Sequence, residues 1–86
     1  MRDKFYRDLA AWLDQWLQDN VGNNPNKLNQ LPVELTGDEL KPIAINRVFF
    51  YIEKRHWKAP QQKTADIFNC SRWEIGRAIK KYRNFM

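Results

Sequence analysis

Residues Gln61–Lys80, which read QQKTADIFNCSRWEIGRAIK, give the strongest structural signal in the chain. Ala65 is small and stands where two short helices would cross closely. Asn69 stands where the turn between them needs a left-handed backbone, which asparagine tolerates better than most residues. Ser71 starts a capping box that Glu74 completes three residues later. The stretch therefore predicts a helix, a tight turn and a second helix.

The apolar positions of this stretch match the sides that such a helix pair buries. We expect burial of Phe68, Cys70, Ile75 and Ala78. The opposite side of the second helix is basic, polar or aromatic. In a helix-turn-helix, the N-terminal part of the second helix enters the major groove of DNA and contacts base edges. The pattern therefore favours double-stranded DNA as the partner.

Individual side chains suggest how DNA would be contacted. Arg72, Trp73 and Arg77 are candidates for base edges, since arginine pairs with O6 and N7 of guanine. Gly76 weakens a helix but allows its backbone close to a neighbouring surface such as DNA. The other members suit phosphates. The predicted DNA-binding set is Lys63, Ser71, Arg72, Trp73, Gly76, Arg77, Lys80, Lys81 and Arg83. A solvated face is the alternative for the lysines, and packing against a neighbour is the alternative for Trp73.

The charge is distributed unevenly along the chain, and this agrees with a DNA-binding second part. Residues 1–52 carry six basic and seven acidic side chains, whereas residues 53–86 carry nine basic and three acidic ones. The net charge of +5 thus comes from the second part. This asymmetry indicates a structural first part and an anion-facing second part, with a solvated basic surface as the alternative.

Upstream, two further helices are predicted. The stripe of Phe5, Leu9, Trp12, Leu13 and Trp16 has the spacing of an amphipathic helix over about 2–20. The asparagine-rich stretch 21–36 is predicted to be a loop. A second helix is expected over 37–57, because a capping box at Thr36–Glu39 indicates the start of a helix.

The second helix is apolar on nearly every side from Ile43 to Ile52. A chain this short offers few neighbours to cover such a helix, so we expect a second copy of the chain to help. The predicted dimerisation residues are Phe5, Leu9, Trp12, Leu13, Trp16, Val48, Phe49 and Ile52. The expected fold is all-α, with a dimerisation core over 1–57 and a helix-turn-helix over 58–86.

Composition excludes several classes of protein. A hydrophobic content of 43% is too high for a disordered tail. No apolar run is long enough to cross a bilayer, and no apolar stretch follows the N-terminal residues as in a signal peptide. Cys70 is the single cysteine and cannot form an internal disulfide, which fits a cytoplasmic location. We expect no membrane association.

The helix order and the last thirty residues resemble Fis and the Fis-type C-terminal domains of NtrC-like bacterial activators. The matching residues are Gln61, Ala65, Phe68, Arg72, Ile75, Ile79, Lys80, Lys81 and Tyr82, with Arg2, Asp3 and Leu9 as a weaker echo. The resemblance implies a homodimer whose first two helices intertwine and whose terminal helices enter adjacent major grooves of bent DNA. It also implies that Arg72 reads bases and that Arg77, Lys80 and Lys81 contact DNA.

Taken together, the sequence predicts a homodimeric, sequence-tolerant DNA-binding protein of bacteria or their mobile elements. It would regulate transcription or bend DNA in the nucleoid. We expect no enzyme activity, metal or cofactor, because His56 is the lone histidine and no catalytic constellation or phosphate-binding glycine loop is visible. One alternative is a phage or plasmid adaptor that binds a host protein through exposed tryptophans. Another is single-stranded nucleic-acid binding that uses Trp57 and Trp73.

Overall fold

The computed structural model describes residues 2–31 and 40–81, and every regular element in that part of the chain is helical. The helices are α1 (Arg2–Asn20), a 3₁₀ helix (Pro25–Gln30), α2 (Lys41–Lys54), α3 (Pro60–Phe68) and α4 (Arg72–Lys81). The prediction of an all-α fold is confirmed. Within the described ranges, no helix combines the length and the apolar character that crossing a membrane requires.

Helix α2 is the centre of the structure. It packs against α1, α3 and α4, and every residue from Ile43 to Phe49 is buried, as are Tyr51 and Ile52. The expectation that α2 needs a second copy of the chain to cover it is therefore wrong, because three helices of the same chain do so. Each fully buried aliphatic side chain stabilises the fold by about 1.5–3 kcal/mol.

Helix α1 buries one side against this core, and a glycine follows two residues after its last residue, Asn20. Leu13 and Leu17 are fully buried, and the N–H of Gly22 donates to the Leu17 carbonyl at 3.1 Å. Gly22 has φ +55°, a left-handed conformation that glycine adopts without the cost of a Cβ. Its own carbonyl accepts two hydrogen bonds from the end of α2, one from the Tyr51 hydroxyl at 2.6 Å and one from Arg55 Nε at 2.9 Å. The C-terminal ends of the two long helices are thereby joined.

The end of α2 differs from the predicted boundary at residue 57. The helix stops at Lys54, and His56 takes φ +59°. The N–H of Trp57 donates to the Ile52 carbonyl at 3.3 Å and that of His56 to the Glu53 carbonyl at 3.0 Å. These two bonds form a Schellman motif, which turns the chain out of the helix. At the other end α2 begins at Lys41, and the predicted capping box at 36–39 lies outside the described residues.

Two buried polar side chains, Asn46 and Arg47, connect the helices. Arg47 is 6% exposed and holds Asp14 of α1 through two bonds, Nε to Oδ1 at 2.8 Å and Nη2 to Oδ2 at 3.0 Å. Asn46 is fully buried, accepts a hydrogen bond from Arg47 Nη1 at 3.3 Å and donates to the Ala78 carbonyl of α4 at 3.5 Å. Helices α1, α2 and α4 thus share one polar network inside the apolar core.

Candidate nucleic-acid interface

The turn between α3 and α4 has the local geometry that the sequence predicts. Asn69 lies in the left-handed region, with φ 52° and ψ 51°, and the N–H of Cys70 donates to the Ala65 carbonyl at 3.0 Å. Ser71 Oγ accepts a hydrogen bond from the N–H of Glu74 at 3.2 Å, so it caps α4 as expected. The chain therefore leaves α3 and enters α4 through three residues whose side chains suit each position.

Burial in the helix pair follows the predicted pattern with one correction. Ala65, Phe68, Ile75 and Ala78 are buried. Cys70 was expected to be buried as well, but it is only partly so. The reason lies in its place in the turn, between the exposed residues Asn69 and Ser71. Desolvation nevertheless raises the pKa of the Cys70 thiol above its ordinary value of 9.0, and the Glu74 carboxylate raises it further.

The outward side of α4 displays most of the predicted DNA-binding residues. Arg72, Trp73, Arg77, Lys80 and Lys81 are all exposed. Ser71 is also exposed, whereas Lys63 on α3 and Gly76 on α4 are partly buried, and Arg83 lies outside the described residues. The hydrophobic side of α4, with Ile75 and Ala78, faces the core, so the basic side chains form one outward surface. We call Arg72, Trp73, Arg77, Lys80 and Lys81 the outer face of α4.

The outer face contains one aromatic side chain, Trp73, which contacts a neighbouring arginine. Trp73 is 67% exposed, and the guanidinium carbon of Arg77 lies 4.7 Å from the centroid of its ring. This is the distance of a cation–π contact. A Cβ added at Gly76 would meet nothing within 4 Å, so packing inside the chain does not require glycine there. The space beside Gly76 is therefore open within the described part of the chain.

A groove of about 610 Å³ runs beside the outer face, between α4 and the start of α2. Its apolar lining consists of Pro42, Ile45 and Ala78, and its basic lining consists of Lys41, Arg77, Lys80 and Lys81. Lys41 Nζ lies 3.8 Å from Glu74 Oε2, which joins α2 to the first turn of α4. The groove therefore carries an excess of positive charge around a single carboxylate.

The predicted dimerisation residues divide into two groups. Leu13, Val48, Phe49 and Ile52 are buried in the core of the single chain, so in this structure they contact residues of their own chain. Phe5 and Trp12 are 57% and 51% exposed, and Leu9 and Trp16 are partly buried. We call Phe5, Leu9, Trp12 and Trp16 the outer stripe of α1.

Two features of the site were not predicted from the sequence. Lys41 was not assigned to the interface, although α2 places it against Glu74. The sequence predicts an apolar helix around Asn46, whereas Asn46 donates a hydrogen bond to the Ala78 carbonyl of α4. The signal that could have revealed the second feature is the pair of polar residues Asn46-Arg47 in the middle of an apolar run.

Comparisons of the chain with protein-family models, with curated proteins and with solved structures find no match. The resemblance to Fis-type proteins therefore stays a prediction. Among the described residues, no three His, Cys, Asp or Glu side chains come together in a way that could hold a metal ion.

Proposed function

We propose that this protein is a homodimeric, sequence-tolerant double-stranded DNA-binding protein that regulates transcription or bends DNA. In this proposal α3 and α4 are a helix-turn-helix, and α4 enters the major groove. Arg72 and Arg77 contact base edges, and Lys80 and Lys81 contact phosphates. The division into a dimerisation core and a DNA-binding part, and the location in the bacterial nucleoid, belong to the same proposal.

The observation that carries the proposal is the composition of the outer face of α4. Four of its five exposed side chains are basic and extend from Arg72 to Lys81, while the opposite side of the helix, with Ile75 and Ala78, is buried in the core. Neutralising phosphates with such side chains releases counterions, which supplies most of the free energy of sequence-independent DNA binding. The contact between Arg77 and Trp73 adds a pre-positioned guanidinium near the N-terminal part of α4.

The outer stripe of α1 supports the homodimer. Its four residues follow the spacing i, i+4, i+7, i+11, which places them on one side of the helix. Two large aromatic side chains remain more than half exposed there, and a second copy of α1 would remove them from water. Sedimentation equilibrium should therefore give about twice the chain mass of 10.4 kDa.

A second candidate function has its own supporting observation. Trp12 and Trp73 are both more than half exposed, and tryptophan is a frequent anchor in protein interfaces. These side chains favour an adaptor that binds a host protein. Salt separates the two candidates, because phosphate-driven binding weakens steeply with salt and aromatic docking does not.

The test is fluorescence anisotropy of a labelled random duplex of about 25 base pairs, titrated over a range of salt concentrations. We expect tight binding at low salt that falls as salt rises. Lys80→Ala should weaken binding to all sequences alike and reduce the salt slope by about one unit. Arg72→Ala should instead relax the preference for one base pair in a selection from random duplexes.

Lys4→Ala is the matched control. Lys4 is also an exposed lysine, but it lies on α1 and not on the helix proposed to contact DNA. It should leave the salt slope unchanged. Equal salt slopes for wild type and Lys80→Ala would show that Lys80 does not contact a phosphate. No binding to the duplex at low salt would overturn the proposed function and leave the adaptor as the better candidate.

A further inference from the structure

The groove between the start of α2 and α4 has a composition that suits a phosphate group. Four basic residues line it, Lys41 from α2 and Arg77, Lys80 and Lys81 from α4. The apolar lining of Pro42, Ile45 and Ala78 offers no competing charge. Arg77 belongs both to this groove and to the outer face of α4, so the groove borders directly on the surface proposed to enter the major groove.

Glu74 is the one acidic residue among those that line the groove. Its carboxylate lies in the groove and would repel a phosphate, but Lys41 approaches it to 3.8 Å. Glu74 also occupies the third position of the capping box that starts α4, where a carboxylate stabilises the helix. Lys41 thus partly neutralises the Glu74 carboxylate, which in turn stabilises the N-terminus of α4.

We propose that this groove binds a backbone phosphate of the DNA duplex, and that the balance between Lys41 and Glu74 sets how strongly it does so. This proposal rests on the proposed function and extends the DNA-binding surface beyond the helix-turn-helix to α2. A duplex whose major groove holds α4 has a phosphate backbone on either side of that helix. The groove is lined by residues of both α4 and α2, so in the proposed complex it would face the backbone on that side of α4.

The test compares four variants in the duplex titration described above. Lys41→Gln leaves Glu74 unbalanced and should weaken binding about 5- to 10-fold at ~0.1 M salt, with a salt slope smaller by about one unit. Glu74→Gln keeps the capping geometry, removes the repulsive charge and should tighten binding by a similar factor. The double variant should bind within about two-fold of wild type, since the two charge changes offset each other.

Lys54→Gln is the matched control. Lys54 is an exposed lysine at the opposite end of the same helix, about 20 Å from Lys41 at the rise of an α-helix. It should change the affinity less than two-fold. Thermal melting of each variant establishes that all four are folded. The proposal is overturned if Lys41→Gln behaves like Lys54→Gln, or if Glu74→Gln weakens binding.

A separate measurement tests the groove if the wild-type chain does not bind the duplex at all. Inorganic pyrophosphate offers anionic phosphate oxygens without the rest of the DNA, and its binding is followed by the NMR shifts of the backbone amides of Ile45 and Ala78. Shifts that saturate in wild type and disappear in Lys41→Gln would keep the groove as a phosphate site while the proposed function fails. No shift would overturn both proposals.

Discussion

The ion pair between Asp14 and Arg47 allows a quantitative prediction. Replacing Asp14 by Asn keeps the size of the side chain and removes its charge. The Arg47 side chain, only 8% exposed, then remains charged in the core, and one of its N–H groups faces an amide nitrogen in place of the Oδ2 atom now 3.0 Å away. Breaking a buried pair in this way costs about 3–5 kcal/mol. The Asp14 side chain is 28% exposed, so solvent moderates the loss and we expect about 3 kcal/mol.

Urea unfolding followed by circular dichroism measures this loss. With a slope of roughly 1 kcal/mol per molar urea for a domain of this size, the midpoint should fall by about 3 M. Such a shift is a large part of the total stability of a small domain, about 5–15 kcal/mol. All curves must be recorded at one protein concentration, because association of two copies would raise the apparent stability.

Two further variants decide whether the ion pair is the cause. Asp19→Asn changes an exposed carboxylate on the same helix, which accepts a hydrogen bond from Gln15 at 2.9 Å, and should cost no more than about 0.5 kcal/mol. Combining Asp14→Leu with Arg47→Met removes both charges and should recover most of the lost stability. If Asp14→Asn differed from Asp19→Asn by less than about 1 kcal/mol, the reasoning about an uncompensated buried charge would be refuted.

Three other substitutions test single features. Gly76→Ala should raise stability by about 0.5–1 kcal/mol in thermal melts, because nothing lies near the added Cβ, yet weaken duplex binding if the backbone approaches DNA closely. Ala59→Gly should raise the Tm by about 3–6 °C, since Ala59 has φ +50°, whereas the same change at exposed Ala11 in α1 should lower it. Burial raises the pKa of Tyr51 above its ordinary value of 10.0, and Arg55 lowers it in part. The folded state therefore favours the neutral phenol, and its contribution to stability is lost as pH rises through the raised pKa. Tyr51→Phe should cost about 1 kcal/mol at neutral pH but show a shallower decline above about pH 10, as urea titrations at each pH would reveal.

The features that the sequence predicted well depend on neighbouring residues. Asn69 in a left-handed conformation, Ser71 as the cap of α4 and the extent of α1 all follow from rules that act over one or two helical turns. The basic outer face of α4 follows in the same way from its helical period. These rules need no knowledge of which helix packs against which.

The features that were missed depend on residues far apart in the chain. Lys41 and Glu74 are separated by 33 positions, as are Asp14 and Arg47, and only the packing of α2 brings each pair together. The apolar character of α2 predicts a need for a second chain, because the sequence does not say how many helices of its own chain surround it. The stop after Lys54 was missed because His56 takes the left-handed position that glycine or asparagine usually fills.

The central place of α2 has a consequence for how this protein can change. Almost every side chain from Ile43 to Ile52 is buried against the neighbouring helices, so substitutions there mainly change the stability of the fold. The outer stripe of α1 and the outer face of α4 consist of side chains that the core does not use fully. Mutations could therefore alter one surface without disturbing the other, and chimeras that combine α1 and α4 surfaces from different variants should remain folded on an unchanged α2.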